Sequence, residues 1–337
     1  MNILVTGGAG YIGSHAVRQL VKAGHNVVIL DNLSYGHKQS LPDGVPFYQT
    51  DIAETNKVEE ILRTHRIEAV MHFAAFISVG ESVEKPLRYY RNNTAGAMSL
   101  LEAMERAGVK RFVFSSTAAT YGEPAEVPIY ETTPQNPINP YGRSKWFVEQ
   151  ILKDIAAADP DFRFIAFRYF NVAGASADAS IGEDHQPETH LIPLVLFAAM
   201  GKRPNIKVFG TDYPTEDGTC IRDYVHVDDL IAAHILAVET LGNAPQAAAA
   251  NTFYNLGIGR GYSVKEILDA SEKVVGGKIP TVHGERRPGD PAKLYANSDK
   301  VQKELGWKPQ HTDTEEVIAT AWKWHTTHPN GYSGSSF

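Results

Sequence analysis

The chain has 337 residues, of which 43% are hydrophobic and 21% charged, the composition of an ordinary globular protein with one large domain or two modest ones. Its net charge of −7 argues against a nucleic-acid or anionic-membrane partner reached by bulk electrostatics. One cysteine, Cys220, excludes an internal disulfide and is typical of a reducing compartment. The apolar run at 191–200 is too short to span a bilayer, and the first residues read as a strand, not a signal peptide. We therefore expect a cytoplasmic protein.

The first half of the chain alternates short apolar runs with amphipathic segments, the pattern of βαβ units and a parallel sheet. Strands are predicted at 2–6, 26–31, 46–51, 69–75, 111–117 and 163–171, and helices near 13–23, 55–65, 92–107 and 142–157. Near residue 175 the sequence becomes polar and rich in Gly and Ala. We predict an α/β fold, with a Rossmann-type doubly wound parallel sheet over residues 1–175 and a smaller mixed α/β substrate domain over 176–337. A strand-then-helix pattern indicates that 221–240 returns to the first domain.

The sequence VTGGAGYIGSH (5–15) spaces Gly7, Gly10 and Gly13 by three residues, directly after a strand and at the start of a helix. Glycines at these positions allow a tight turn, let the backbone approach a pyrophosphate, and bring helix and sheet together. The helix N-terminus offers unpaired amides and a partial positive charge to the anion. Asp31 ends the next strand, where its carboxylate suits a ribose diol and repels a 2′-phosphate. The pattern therefore predicts a dinucleotide site that prefers NAD to NADP.

Further polar and small residues follow the neighbouring predicted strands. Asp51 ends the third strand, where it could accept a hydrogen bond from the adenine amino group, and Asn32 and the segment 73–75 lie at adjacent strand ends. A doubly wound sheet binds its ligand at these carboxyl ends.

Tyr141 and Lys145 share one face of a predicted helix because they are four residues apart. Free tyrosine has a pKa of about 10, too high for a base at neutral pH. The lysine ammonium and the oxidised nicotinamide ring would both favour the phenolate, which could then take a proton from a sugar hydroxyl. The segment SSTAATYG (115–122) ends another strand and supplies hydroxyl groups from Ser115, Ser116 and Thr117. One of these can bind the reacting oxygen beside the tyrosine.

This combination resembles the extended short-chain dehydrogenase/reductases, whose hallmarks are the TGxxGxxG loop, a Ser or Thr after a central strand, and YxxxK. Along the whole chain the sequence is similar to the UDP-glucose 4-epimerase family. The similarity is carried by GGAGYIGSH, DNL (31–33), VGESVEKPLRYYRNN (79–93), RYFNVAGA (168–175), VFGTDYPTEDGTCIRDYVHVDDL (208–230), RRPGD (286–290), ELGWKP (304–309) and HPNGYS (328–333).

The resemblance implies that Tyr141 is the catalytic base, that Lys145 holds the nicotinamide ribose and that Thr117, often serine in the family, contacts the sugar. It implies bound NAD, contacted by Gly7, Gly10, Tyr11, Ile12, Gly13, Asp31, Asn32, Asp51, Ile52, Phe73, Ala74, Ala75, Lys85, Asn92, Ser115, Tyr141, Lys145 and Tyr169. It implies a UDP-sugar site formed by Thr117, Tyr141, Asn171, His190, Leu191, Val208, Phe209, Arg222, Tyr224, Arg287, Asp290 and Leu294. His190 stands where several bacterial members have asparagine. No metal-binding residues are predicted.

Arg222 and Arg287 are consistent with a diphosphate ligand, because the planar guanidinium group of arginine binds phosphate oxygens in pairs. Asp290 would be repelled by a diphosphate, so we expect it to accept from a ribose hydroxyl. The reaction implied by the resemblance interconverts UDP-glucose and UDP-galactose. Tyr141 takes the C4 hydroxyl proton while a hydride passes to NAD, the 4-keto sugar turns, and the hydride returns to its other face. NAD must stay bound, since each cycle regenerates it.

Related chemistries on this scaffold require residues that differ from those of this chain. A nucleotide-sugar 4,6-dehydratase usually has an Asp-Glu pair after the hydroxyl residue, whereas this chain has Ala118 and Ala119. A decarboxylase would need a cation for the C6 carboxylate that the sequence does not identify, and a non-catalytic NAD sensor tends to lose YxxxK. Leu294 aligns with the position said to govern room for an N-acetyl group, so activity on UDP-N-acetylhexosamines is left open. A homodimer formed through a helix pair is expected from the family.

Overall fold

The structure is a computed structural model that describes residues 1–243, 250–287 and 291–332. Its strands are β1 (Asn2–Thr6), β2 (Asn26–Asp31), β3 (Phe47–Gln49), β4 (Ala69–His72), β5 (Arg111–Ser115), β6 (Arg163–Tyr169), β7 (Asn171–Ala173), β8 (Ile206–Phe209), β9 (Ile221–Arg222), β10 (Tyr224–His226), β11 (Thr252–Leu256), β12 (Tyr262–Ser263), β13 (Thr281–Gly284) and β14 (Lys293–Leu294). Its α-helices are α1 (Tyr11–Lys22), α2 (Thr55–Thr64), α3 (Val79–Glu84), α4 (Pro86–Tyr89), α5 (Gly96–Ala107), α6 (Pro140–Ala158), α7 (Leu191–Ala199), α8 (Val227–Asn243), α9 (Val264–Val275), α10 (Asp299–Leu305) and α11 (Thr314–Thr327). A π-helical turn at Tyr90–Ala95 leads into α5, and short 3-10 turns lie at Lys38–Ser40 and Ala118–Thr120.

Seven parallel strands form the central sheet in the order β11-β6-β5-β4-β1-β2-β3. The chain runs outward from β1 to β3, then crosses back to β4 on the other side of β1. The strand order therefore reverses between β1 and β4, where loops diverge and leave a crevice at the carboxyl ends. The predicted doubly wound α/β fold is confirmed.

Two apolar layers cover the faces of this sheet. On one face α1 and α8 pack through residues that include Val17, Leu20 and Leu230. On the other face α2, α5 and α6 pack through residues that include Leu100 and Val148. Strands covered on both faces consist of continuous apolar residues, which explains why the runs in β1 and β2 were recognisable from the sequence.

The second half of the chain is divided between two places. β11 joins the central sheet beside β6, and α8 packs on it, although both follow residue 175. The remaining strands form three small sheets, β10-β7, β12-β9-β14 and β13-β8. Helices α7, α9 and α11 pack together over part of this region. The division into domains at residue 175 stays a prediction.

The strands predicted at 46–51, 69–75 and 111–117 are observed over the shorter ranges of β3, β4 and β5. Two further predicted elements are interrupted or begin differently. The strand predicted at 163–171 is interrupted at Phe170, because Asn171 bonds through its backbone and side chain to the Asp223 carbonyl and starts β7 beside β10. The helix predicted from residue 92 begins in the π-helical turn, where Asn93 bonds to the backbone of Phe76. Among the described residues, no helix combines the length and the apolar character needed to cross a bilayer.

Candidate active site

The glycine loop packs tightly against the end of β4. Gly7 has φ +72°, and a Cβ there would lie 2.5 Å from the backbone nitrogen of Ala74. A Cβ at Gly13 would collide with the carbonyl oxygen of Gly7. Gly10 is the N-cap of α1, and the first turn of α1 has neither a side-chain cap nor an acidic residue. The amides of this turn are therefore available to an anion such as a pyrophosphate.

Acidic residues lie at the ends of the strands next to the loop. Asp31 accepts hydrogen bonds from the backbone N–H groups of Ala9 (3.0 Å) and Leu33 (2.7 Å), which hold its carboxylate against the glycine loop. Burial raises the pKa of Asp31 from its ordinary value. The side-chain amide of Asn32 donates to Asp51 at 2.7 Å, so these two predicted cofactor residues also lie together.

Phe73 follows β4 at the switch point. Its backbone N–H donates to the carbonyl of Thr6 at 2.9 Å, and its ring packs 5.0 Å from that of His234. Ala74 and Ala75 continue from it and are half-buried, while Ile52 is buried in the layer beneath α2 and α5. The loop, the two acidic strand ends and this segment form one edge of the sheet.

Tyr141 occupies the second position of α6, whose N-cap Asn139 accepts from the backbone N–H of Gly142 at 2.8 Å. This cap and Pro140 start the helix where the phenol reaches Thr117, just beyond β5. Burial raises the pKa of Tyr141, and its hydrogen bond with Thr117 offsets part of that rise. The sequence analysis expects the Lys145 ammonium and the oxidised nicotinamide to favour the phenolate, and this stays a prediction for the NAD-bound enzyme.

Lys145 lies one turn further along α6 with only 3% of its surface exposed. Its Nζ donates to the carbonyl oxygen of Ser115 at 2.7 Å and lies 5.0 Å from the centre of the Phe114 ring. These are neutral groups, and burial lowers the pKa of Lys145 to about 7. The same cation, together with burial, lowers the pKa of His72 to about 3.

Ser115 and Tyr169 end the adjacent strands β5 and β6, and their hydroxyl groups are hydrogen-bonded to each other. Burial raises the pKa of Tyr169, and nearby Tyr141 raises it further. The sequence-predicted residues Thr117, Tyr141 and Lys145 therefore lie together with Ser115 and Tyr169 at the carboxyl ends of two central strands.

A buried ion pair that the sequence analysis missed supports this arrangement. Arg168 donates to both carboxylate oxygens of Glu149, from Nε at 2.9 Å and from Nη2 at 2.7 Å. Ser116, the residue before Thr117, donates to Glu149 at 2.5 Å, and Gln135 donates to it at 2.7 Å. The network joins α6 to the ends of β5 and β6. Four-residue spacing from Lys145 to Glu149 was visible in the sequence, but the pairing with Arg168 was not.

The residues predicted for the nucleotide sugar form smaller groups. Asn171 and Tyr224 are register partners in the β7–β10 pair. Arg222, on β9, pairs in register with Leu294 on β14. The Arg287 guanidinium lies 4.0 Å from the centre of the ring of Phe209, which follows Val208 on β8. Asp290 lies outside the described residues.

Four other residues predicted to contact NAD or the UDP-sugar form contacts with protein groups in this structure. The ammonium of Lys85 is exposed and pairs with Glu81 at 3.2 Å, and Asn92 donates to Asn93 at 2.9 Å. Tyr11 donates to the carbonyl of Gly174 at 2.7 Å. His190 caps α7, just before Leu191, and faces carboxylates at 183 and 188. The roles of these residues remain predictions.

At the switch point the glycine loop leads into α1, whose first turn has no side-chain cap, and Tyr141 and buried Lys145 lie two strands away. This arrangement defines a dinucleotide-dependent enzyme of the short-chain dehydrogenase/reductase type. Residues 3–257 match the model of the NAD dependent epimerase/dehydratase family.

Comparison with individual proteins narrows the class further. The UDP-glucose 4-epimerase of Lactobacillus helveticus is 54% identical over 332 residues, covering 98% of this chain and 99% of that protein. A crystal structure of a UDP-glucose 4-epimerase is 51% identical, covering 99% of this chain and all of that one with a TM-score of 0.95. The structure of the Bifidobacterium longum UDP-glucose 4-epimerase in complex with NAD⁺ and UDP is 39% identical, covering 98% and 100% with a TM-score of 0.92. The chain belongs to the NAD-dependent UDP-glucose 4-epimerase family, and it is an isomerase.

Proposed function

We propose that this enzyme interconverts UDP-glucose and UDP-galactose by inverting C4 through a transient 4-keto sugar, as a step of galactose metabolism. The observation that carries the proposal is the Tyr141–Thr117 hydrogen bond beside buried Lys145, at the sheet edge shared with the glycine loop. A phenol and a hydroxyl that already bond to each other can both bind one further oxygen atom placed between them and the cofactor.

The described residues fit NAD. The close approach of Gly7 to Ala74 leaves no room for a side chain, and the uncapped first turn of α1 offers amides to the pyrophosphate. Asp31 presents a carboxylate to the adenosine ribose, which disfavours a 2′-phosphate. When bound, NAD supplies the oxidant for C4 and returns the same hydride to the other face of the sugar.

Tyr141 holds and moves the proton in this proposal. Its phenolate takes the proton from the C4 hydroxyl, and the resulting phenol gives the proton back after the sugar has turned. Burial raises the pKa of Tyr141, so the phenolate needs a nearby cation. Lys145 sits one turn away and donates to the carbonyl of Ser115, which orients its ammonium within the site. Thr117 supplies the hydrogen bond that stabilises the phenolate.

The nucleotide must stay fixed while the sugar turns. Arg222 and Arg287 are the cations proposed for the diphosphate, and the stacking of Arg287 on Phe209 fixes one of the two guanidinium groups before the ligand binds. We assign this role to the region 176–337, from which α8 and β11 return to the central sheet, and the NAD site to residues 1–175. A dehydratase is less consistent with the site, because Ala118 and Ala119 offer no acid beside Thr117.

The test uses the purified protein without added NAD, incubated with UDP-galactose while UDP-glucose is measured. We expect conversion without added cofactor, and NAD released in about equal amount to protein on denaturation. Tyr141→Phe should keep the fold and the bound NAD but lose about 10²–10⁴-fold in kcat, as for loss of a general base. Tyr130→Phe removes an exposed phenol and serves as the matched control. Conversion that requires added, exchanging NAD, or near-normal turnover in Tyr141→Phe, would contradict the proposal.

A cytoplasmic homodimer also belongs to the proposal. Met98 on α5 and Phe147 on α6 are 44% and 40% exposed, on two of the three helices that cover one face of the sheet. Burying these side chains against a second copy would remove apolar surface from water. Light scattering after gel filtration should give twice the 37.0 kDa chain mass, and Met98→Glu should lower it.

A further inference from the structure

A cluster of two glutamates and two histidines lies in the segment that leads into α7. Its members are Glu183, His185, Glu188 and His190, and one ligating atom from each lies within 4.8 Å of all the others. The two glutamate side chains are 5% and 4% exposed, while His185 is 16% and His190 35% exposed. Eight consecutive residues therefore bring four potential metal ligands together at a half-open site.

The donor separations lie on both sides of those found around a small ion. The Nδ1 atom of His190 lies 2.8 Å from Glu183 and 3.0 Å from Glu188, while that of His185 lies 3.1 Å from Glu183 and 3.7 Å from Glu188. A tetrahedral ion with bonds of about 2.0–2.1 Å holds its donors about 3.3–3.4 Å apart. Imidazole nitrogen and carboxylate oxygen are both ligands that Zn²⁺ accepts.

One carboxylate oxygen of the cluster has no hydrogen-bond donor among the described residues. The Oε1 atom of Glu188 accepts from the backbone N–H groups of Thr189 (2.6 Å) and His190 (2.7 Å). Its Oε2 atom is buried without a hydrogen-bond partner and lies 3.7 Å from Nδ1 of His185, within ion-pair distance. Buried carboxylate oxygens are normally satisfied, and a bound cation is one of the partners that accounts for an exception.

We propose that Glu183, His185, Glu188 and His190 bind one divalent transition-metal ion, with Zn²⁺ as the best match. The second group of candidate ligands, His226, Asp228 and His311, fits a metal ion less well, because two of its members already form hydrogen bonds with other groups of the protein. The Nε2 atom of His226 lies 3.1 Å from the Thr320 hydroxyl, its Nδ1 accepts from the backbone of Asp228 at 3.1 Å, and Asp228 accepts from Gln19.

The ion would have a structural role that links two parts of the enzyme. His190 caps α7, so a bond to the metal would fix the residue directly before Leu191. The ring of His185 packs edge-on against Tyr11 of the glycine loop, with 6.2 Å between the ring centres. The carbonyl of Glu183 accepts from the indole of Trp324 at 3.0 Å. The site therefore lies between the predicted nucleotide contacts, the dinucleotide loop and α11.

The test measures metal content in full-length protein without a histidine tag. The protein is stripped with EDTA, dialysed against Zn²⁺, freed of excess ion and analysed by mass spectrometry. We expect about one zinc per chain, and Co²⁺ in its place should give the intense visible absorption of a four-coordinate site. At a zinc concentration of about 100 times Kd, Tm should rise by about 4 °C for a chain of this length.

Variants assign the ion to its ligands. Glu188→Gln keeps the shape of the side chain, and His185→Asn with His190→Asn removes both imidazoles. Each should lose at least tenfold in zinc affinity, and circular dichroism shows whether it has folded. His311→Asn is the matched control in the other cluster and should bind zinc as the parent does. Failure of the parent to bind zinc, retention of zinc by Glu188→Gln, or loss of zinc only in His311→Asn would each overturn the proposal.

Discussion

Replacing Lys145 with methionine tests whether a buried, uncompensated ammonium is built into the site. Burial lowers the pKa of Lys145 to about 7, whereas an unfolded lysine titrates near 10.4. Between these two values the unfolded chain binds more protons than the folded one, so stability rises with pH. Below about pH 7 the whole penalty for burying the charge remains, and above about pH 10.5 it has disappeared.

The difference between two practical pH values can be worked out from these pKa values. From pH 7 to pH 9 the penalty falls by about 2 kcal/mol, out of a full value of about 4–5 kcal/mol. Lys145→Met has no such proton, so the parent should gain about 2 kcal/mol relative to the variant over this interval. The methionine also leaves the carbonyl of Ser115 without its donor, which lowers the stability of the variant equally at both pH values.

The assay is urea denaturation of NAD-free protein at pH 7, 8 and 9, for the parent, Lys145→Met and Lys153→Met. Lys153 is an exposed lysine on the same helix, and its replacement should leave the pH dependence unchanged. Parallel curves for the parent and Lys145→Met would refute the reasoning, because the ammonium would then titrate alike in the folded and unfolded chains.

Three further changes test the loop, the buried ion pair and the sugar pocket. Gly7→Ala should lower both Tm and NAD content, because the added Cβ would collide with the backbone of Ala74. The control is Gly44→Ala. Gly44 also has a positive φ but no neighbouring atom within 4 Å of an added Cβ, so this change should lower Tm by less and leave NAD content unchanged. Glu149→Gln should lower the free energy of unfolding, measured by urea denaturation, by about 3–5 kcal/mol, since it leaves Arg168 buried without its counter-charge. Glu102→Gln, at an exposed position, should lower it by less than about 0.5 kcal/mol. A cost equal to that of Glu102→Gln would show that the pair is not buried in solution. Leu294→Ala should raise kcat/KM for UDP-N-acetylglucosamine relative to UDP-glucose, measured in parallel assays, and an unchanged ratio would remove this position from the sugar pocket.

Local features of the fold could be predicted because their causes are contained in a few consecutive residues. The bounds of β1 and β2 agree with the sequence analysis, since uninterrupted apolar runs meet turn residues at both ends. The helix predicted near 142–157 is confirmed as Pro140–Ala158, and it begins earlier because Asn139 and Pro140 start it. The assembly of Thr117, Tyr141 and Lys145 could be predicted as well, because carboxyl ends of parallel strands meet at one edge.

Features that depend on distant partners could not be predicted. Nothing in the residues around Glu149 indicates that Arg168, on β6, donates hydrogen bonds to both of its carboxylate oxygens. The extent to which Tyr141 is buried could not be predicted either, and this burial raises its pKa. The assignment of His190 to the UDP-sugar site stays a prediction, and the contacts of its side chain with Glu183 and Glu188 could not be predicted from the sequence.

The pairing of Glu149 with Arg168 bears directly on the chemistry proposed for Lys145. Positions 145 and 149 lie on one face of α6, where a free glutamate would neutralise the lysine and raise its pKa. Because Arg168 binds both oxygens of that carboxylate, the lysine keeps an uncompensated charge among neutral groups. An uncompensated cation can stabilise a phenolate one turn away, whereas one already paired with a carboxylate does so far less. The ion pair therefore does more than join α6 to the sheet: it engages the carboxylate of Glu149, which would otherwise be available to Lys145 on the same helix face.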